Sequence, residues 1–468
     1  MARQSSMLRV AAVAGAVALA LSACSSSGST DGESGSAAPA ASPTSDGVLK
    51  IGTVLPQTGS LAYLGPPEFA GVNLAVKEIN DAGGVNGKQV EVFEGDSGDT
   101  STNIASTTAD QMIARGSDVI IGAASSSVTL SIIDKITSAG VLQISPANTS
   151  PELSTYADNG LFWRTAPPDT FQGQVLAETV ADAGVTKPAV LVLQDSYGEG
   201  LSQYFQSNFE SAGGTLAGEP IFYDPKAATF DAEVGQAKAL NPDGIVLIGF
   251  EESKKVIQEL IKQGIGPDKT QLFLVDGNLS NTIGKGLDQG VLDGTLGTLP
   301  GAQAPETFKS QLLKVDPKLE DFSYAPEAYD AVVASALAAI AAKDDTGAAI
   351  AGQLVDITSG GAACNDFAQC AKLLEQGKEI NYDGQSGPLD FQANGDPGEA
   401  VMGVYKFGED NTYKSDRFVS GAVPAATGAS GEPSAMESTG SAPAGESSPA
   451  GESSPAGEMS TEPSPSTS

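Results

Sequence analysis

Apolar and polar positions fall in alternating blocks along the middle of the chain. Val48-Leu49-Lys50-Ile51-Gly52-Thr53-Val54-Leu55 is a β-rich run that stops at Pro56. Phe69, Val72, Val76 and Ile79 then recur at helical spacing and stop at Gly83-Gly84, a helix-ending signal. Val90 to Phe93 reads as a strand and Thr102 to Arg115 as a helix. Asp118 to Gly122 is a strand, Ser126 to Ala139 a helix, and Val141 to Ile144 a strand. The unit repeats from Ala189-Val190-Leu191-Val192-Leu193, through Gly244 to Ile248, to Gln271 to Val275. Strands and helices alternating at this spacing predict parallel sheets with helices on both faces. There are about twice as many units as one sheet accommodates. The expected fold is α/β, with two doubly wound parallel-sheet lobes.

In open parallel sheets, ligands gather at the carboxyl ends of strands. The loops there are Pro56 to Ser60, Ala123 to Ser127, Ser145 to Thr149, Gln194 to Gly198, Gly249 to Glu251 and Asp276 to Asn278. They carry small hydroxyl residues, a few aromatics, some acids and neither Lys nor Arg. No GxxxxGK[ST] stretch occurs, so a phosphate ligand has no support. Ser125 to Ser127 also opens a predicted helix, whose free N–H groups and hydroxyls suit a carboxylate. One of these serines could equally serve only as that helix's cap.

Composition narrows the chemistry. With 58 acidic and 25 basic residues the net charge is −33, which disfavours nucleic acid and anionic lipid as partners. There is no histidine, hence no imidazole base, no Ser-His-Asp or Cys-His arrangement and no His-ligated zinc. No metal and no cofactor is expected, and an enzyme is disfavoured. Arg3 and Arg9 precede the apolar run Val10 to Leu21, the layout of a secretory signal over residues 1–23. Leu21-Ser22-Ala23-Cys24 resembles the bacterial lipobox, which would make Cys24 an acylated N-terminus. Residues 24–46 then form a Ser/Gly/Ala/Pro tether. The expected location is the outer face of the cytoplasmic membrane, held by the lipid anchor. In an exported protein, Cys364 and Cys370 read as a local disulfide. Residues 421–468 collapse into Ser, Pro, Ala, Gly and Glu and should be a disordered tail.

The stretches IGTVLPQTGSLAYLG, EFAGVNLAVKEINDAGGVNGKQVEV, VIIGAASSS, ISPANTSPEL, SYGEGL, YAPEAYDAV and YDGQSGPLDF, in this order and spacing, resemble the leucine/isoleucine/valine-binding protein family of ABC-importer receptors. The resemblance spans residues 48 to 418. It implies a type I periplasmic binding protein fold with a three-segment hinge, and a monomer that hands its ligand to membrane permease subunits. It further implies that Ser126 and Thr149 hold an α-carboxylate, that the Ala147 carbonyl and Asp276 hold an ammonium, and that Tyr197 closes over the ligand. Phe250 and Tyr324 would line the side-chain pocket, with Tyr63 and Leu64 at the place of a pocket tyrosine. The ligand so implied is a small zwitterion, a branched-chain or other aliphatic amino acid first.

Departures bear on that ligand. Ser125 stands where a first-lobe disulfide cysteine would fall, and Asp276 is one methylene shorter than the glutamate often found there. Amides, aromatic acids or urea-like solutes on the same scaffold therefore remain open, as does a sensor that signals without import. A carboxylate-dependent hydrolase would have to use Asp195, Glu199, Glu251 or Asp276. Chain crossings are expected near Pro167, Gly297 and Gly387. These give a first lobe of 47–167 and 297–386 and a second of 168–296 and 387–420.

Overall fold

The computed structural model describes residues 44–426. The expected signal segment, Cys24, most of the tether and all but the first residues of the expected tail lie outside them.

The first lobe is built on β1 (Lys50–Val54), β2 (Glu91–Phe93), β3 (Val119–Gly122), β4 (Leu142–Ser145) and β5 (Phe162–Arg164), with helices α1 (Gly65–Asp81), α2 (Ile104–Ala114) and α3 (Ser126–Ser138) between them. All five strands are parallel, in the order β2-β1-β3-β4-β5. The second lobe begins with α4 (Asp169–Asp182), β6 (Pro188–Leu193), α5 (Ser196–Ser211), β7 (Ile221–Tyr223) and α6 (Asp231–Ala239). It continues through β8 (Gly244–Ile248), α7 (Ser253–Gln263), β9 (Gln271–Leu274) and β10 (Leu296–Pro300). The chain then returns to the first lobe for α8 (Glu306–Val315) and α9 (Ala325–Ala342). The short α10 (Gly347–Ala351), α11 (Leu354–Ile357), β11 (Ala362–Cys364), α12 (Phe367–Glu375) and β12 (Ile380–Tyr382) follow. It ends in β13 (Glu399–Phe407) and β14 (Tyr413–Ala422), which join the second sheet antiparallel. That sheet runs β14-β13-β10-β9-β8-β6-β7.

The central strands explain the architecture. β3, β4, β6 and β8 are buried along their whole length, as strands covered by helices on both faces must be. In the first lobe the helical cover includes α9, whose alanine-rich sequence is buried on nearly every face and packs on α1. Gly71 of α1 makes that approach possible, since a Cβ there would sit 2.3 Å from the Ala325 carbonyl oxygen. A disulfide joins Cys364 to Cys370 and closes β11 onto α12.

Two of the three crossings fall later than expected. The chain leaves the first lobe at residues 165–168, between β5 and α4, next to the expected Pro167. Gly297 is not a crossing: it lies inside β10, which pairs with β9 and β13 in the second sheet, and the chain crosses at 301–305. Gly387 likewise precedes the third crossing. Leu389 and Phe391 still pack in the first-lobe core, Phe391 with its ring 5.3 Å from that of Trp163, and the chain crosses just before β13. β14 also carries order through Ala422, into the stretch expected to be tail.

The first and third crossings are fastened by one buried cation. Arg164, fully buried at the end of β5, donates to Asp396 at 2.7 Å, to the Ser150 carbonyl at 2.8 Å, to the Asn148 carbonyl at 3.3 Å and to Ser154 at 2.7 Å. Leaving a buried charge without its partner typically costs about 3–5 kcal/mol. Asp396→Ala is therefore expected to lower the unfolding free energy by an amount of that order, read from urea denaturation. A loss within about 0.5 kcal/mol, the scale of an ordinary surface change, would contradict the role given to this ion pair.

Candidate functional site

Both sheets reverse their strand order at the cleft. In the first sheet the reversal lies between β1 and β3, in the second between β6 and β8, and the loops after these strands meet there. Two helices begin at the same place. Ser125 caps α3 by accepting from the Val128 N–H at 3.4 Å, and Asp195 caps α5 by accepting from the Gly198 N–H at 2.9 Å. The two starts are bonded across the cleft. The Ser127 hydroxyl donates to Asp195 at 3.1 Å and accepts from the Ser196 N–H at 3.2 Å, while the Ser150 and Ser196 hydroxyls lie 2.8 Å apart. The lobes are thus drawn together.

Asp276, in the loop after β9, is the most heavily bonded group of the cleft. Tyr197 of α5 donates its hydroxyl to Oδ1 at 2.6 Å, and Gln172 of α4 donates to the same oxygen at 2.8 Å. From the first lobe, Tyr324 donates to Oδ2 at 2.6 Å, and Tyr63 donates to the Asp276 carbonyl at 3.1 Å. The Gly277 N–H donates back to the Tyr197 hydroxyl at 3.3 Å. Tyr324 reaches this position from a left-handed backbone at the N-cap of α9 (φ 60°). Burial raises the Asp276 carboxyl above the ordinary range, opposed by the bonds from Tyr197, Tyr324 and Gln172. Burial and the charge of Asp276 push the Tyr197 and Tyr324 hydroxyls well up, so both stay protonated donors.

The cavity enclosed by these groups is small, ≈ 10 Å³, about the room of one water molecule. Ser126, Ala147, Tyr197, Phe250, Asp276, Tyr324 and Leu64 line it. Phe250 stacks on Tyr197 with centroids 5.4 Å apart and planes 11° from parallel. Thr149 and Tyr63 do not line it. The Thr149 carbonyl accepts from the Asp169 N–H at 2.7 Å, and its buried hydroxyl lies near the Asp169 carboxyl. Tyr63 stands behind the Asp276 backbone. Leu61, Ala124, Ser125 and Gly277 complete the lining. A wider mouth of ≈ 540 Å³, with Ser60, Asp99, Asp195, Lys226, Phe250 and Glu251 among its walls, opens to solvent beside it. Glu199 follows the Asp195 cap in the first turn of α5 and lines neither space. Among the described residues no cluster of acids and cysteines could hold a metal ion.

Two side chains of this site carried no signal in the sequence: Gln172, and Asp169 one turn before it. Both lie in the first turn of α4, immediately after the first crossing, and such a turn looks like any other helix start. Asp169 is fully buried, and neither oxygen has a hydrogen-bond partner. Burial first, and then the charge of Asp276, push its carboxyl well above the ordinary range. The nearby Thr149 hydroxyl and Arg164 pull weakly the other way. Of the two acids Asp169 is pushed further toward its neutral form, because the bonds from Tyr197, Tyr324 and Gln172 favour the charged form of Asp276.

A raised carboxyl gives linkage of definite sign. Above the ordinary carboxylate range the unfolded chain ionises at Asp169 while the folded protein keeps its proton, so wild-type stability falls with rising pH. Asp169→Asn removes that loss. Its stability relative to wild type is expected to grow from pH 4 to pH 8 in urea unfolding. A difference that stays constant with pH, or shrinks, would exclude a protonated Asp169.

Comparison with known proteins gives a consistent result. A sequence model described as "Periplasmic binding protein" matches residues 48–411. The chain is 27% identical over 365 residues to the "Chemotactic signal transduction system substrate-binding protein BasB" of Halobacterium salinarum, covering 74% of this chain and 84% of that one. It is 27% identical over 372 residues to "Leu/Ile/Val-binding protein homolog 1" of Brucella suis, covering 78% and 92%. In fold it is similar to the crystal structure of a leucine binding protein, LivK, of Thermotoga maritima. That likeness has a TM-score of 0.67 at 20% identity and covers 80% of this chain and 99% of that one.

Proposed function

Because the chain belongs to the periplasmic binding protein family, we propose that it captures a small zwitterion, a branched-chain or other aliphatic amino acid first, in the cleft between its lobes. The family places it outside the cytoplasm as a solute-binding protein of ABC-type transport, and not as an enzyme. Permease subunits would receive the ligand. Diacylation of Cys24 would hold the protein as a monomer at the outer face of the cytoplasmic membrane, since more than one chain is needed for firm attachment.

One observation carries the reading: Asp276 and the N-terminal turn of α3 with Ser126 line the same cavity. The α3 turn offers hydroxyls and the positive end of a helix to a carboxylate. Asp276 offers charge to an ammonium, and the Ala147 carbonyl a further acceptor. Leu61, Leu64 and Phe250 supply an apolar wall for an uncharged side chain. Thr149 contributes by holding its loop to α4, not through its hydroxyl. A ligand cannot enter the cavity in this closed arrangement. It binds with the lobes parted, when Tyr324 has left Asp276, and the ammonium takes over donation to that carboxylate. Closure then follows from contacts available only with both lobes together.

A sensor role is the second reading, favoured by the likeness to a substrate-binding protein of a chemotactic signal transduction system. It uses the same ligand site and differs only in the partner that reads the closed form.

Two measurements test the proposal. A ligand at about 100 times its dissociation constant should stabilise the fold by about 2.7 kcal/mol. A thermal-melting panel of aliphatic amino acids, amides and aromatic acids should therefore show its largest shift with an aliphatic amino acid. A flat panel would refute capture of these solutes, and a shift with aromatic acids alone would refute the zwitterion. For the best amino acid, Asp276→Asn should weaken binding by about 2–5 kcal/mol in calorimetry. Wild-type affinity in that variant would remove Asp276 from the ammonium site.

A further inference from the structure

A second cavity, of ≈ 320 Å³, lies on the hinge side of the molecule. Ala302 and Ala304 of the second crossing form one wall, Phe322 and Glu327 of the first lobe another, and Tyr405 and Tyr413 of the second lobe a third. Its size is at the lower end of small-molecule pockets, and its walls come from both lobes and the segment between them. Tyr324 belongs to this cavity and to the cleft cavity alike, and its hydroxyl is the one bonded to Asp276.

The charges and rings have a consistent sense. Glu320 is paired with Lys285 at 2.7 Å, and Lys309 with Glu306 at 3.0 Å. Lys414 sits on the exposed rim. Asp321 and Glu327 then remain without a cation. Asp321 accepts the Tyr413 hydroxyl at 2.8 Å and Ser323 at 2.7 Å, both neutral donors. Glu327 is buried, and its Oε1 has no hydrogen-bond partner. That oxygen presses on the second crossing, where a Cβ on Gly301 would come within 2.2 Å of it and where the backbone is left-handed (φ 102°). The rings suit a cation too: Tyr405 and Tyr413 meet edge to face at 5.2 Å, and the Lys309 ammonium already lies over the Phe322 ring at 5.8 Å.

We propose that this hinge cavity is a second binding site, for a small organic amine with an aromatic or short aliphatic body, and that its occupation favours the closed arrangement of the lobes. The amine pairs with the Glu327 carboxyl where it lines the cavity, and its body lies among Phe322, Tyr405 and Tyr413. Burial holds the Glu327 carboxyl at about 8 when nothing is bound, and a bound ammonium draws the proton off. The cavity as described is bounded by closed lobes, so an occupant that fits it discriminates between open and closed forms. By linkage, a cleft ligand and a hinge ligand then strengthen each other equally.

Phenethylamine is a suitable probe, and 2-phenylethanol is its uncharged counterpart of similar shape. In calorimetry on the intact protein the amine is expected to bind at least tenfold tighter than the alcohol. Glu327→Gln and Ser415→Trp, the second at the exposed rim, should each weaken it at least tenfold, whereas Phe250→Ala in the cleft should leave it within about twofold. Locking the cleft by oxidising the pair Ser127→Cys and Ser196→Cys should tighten amine binding several-fold. No measurable binding, equal affinity for the alcohol, or loss in Phe250→Ala with both hinge variants unaffected would overturn the site. Unchanged or weaker binding in the locked protein would overturn its coupling to closure. None of these outcomes depends on which solute the cleft captures.

Discussion

The arrangement of the cleft depends on how one buried carboxylate is kept satisfied. Asp276 has been taken out of water, and an unpaired charge there would be expelled by protonation or by opening of the fold. Its donors come from both sides of the cleft. Tyr197 and Gln172 belong to its own lobe and stay with it through any hinge motion, whereas Tyr324 belongs to the other lobe. The closed form therefore satisfies Asp276 more fully than an open form can. The same requirement bears on Asp169 close by, which burial and the charge of Asp276 push toward its neutral form.

Much of this was legible in the sequence, and what was not failed for identifiable reasons. Runs such as Val119 to Gly122, Ala189 to Leu193 and Gly244 to Ile248 are apolar throughout because both faces of their strands are covered. They specify strand, parallel sheet and ligand end together. Ser126, Ala147 and Asp276 follow because they sit just past such strands. The crossings are harder to read. Leu296-Gly297-Thr298-Leu299-Pro300 contains a glycine and ends in proline, which looks like a break, yet it is a full strand held by partners on either side. Phe391 packs against distant Trp163, a contact that local periodicity does not contain.

Side-chain direction was the other gap. Thr149 lies in the loop after β4, but its hydroxyl is near Asp169 at the start of α4 and it does not line the cleft cavity. Gln172 and Asp169 meet Asp276 only because the chain has just changed lobes and begun a helix beneath it. No spacing rule connects residues 104 or 107 positions apart, since such encounters are made by topology.

Arg164 has a further consequence. Its guanidinium grips the carbonyls of residues 148 and 150, which bracket the loop facing the start of α3, and ties them to Asp396 and Ser154. This side of the cleft is thus held by main-chain atoms and one buried cation. The apolar lining residues Leu61, Leu64 and Phe250 carry no such fastening. Diversification of this scaffold should therefore spare the loop that Arg164 holds and fall instead among those three positions.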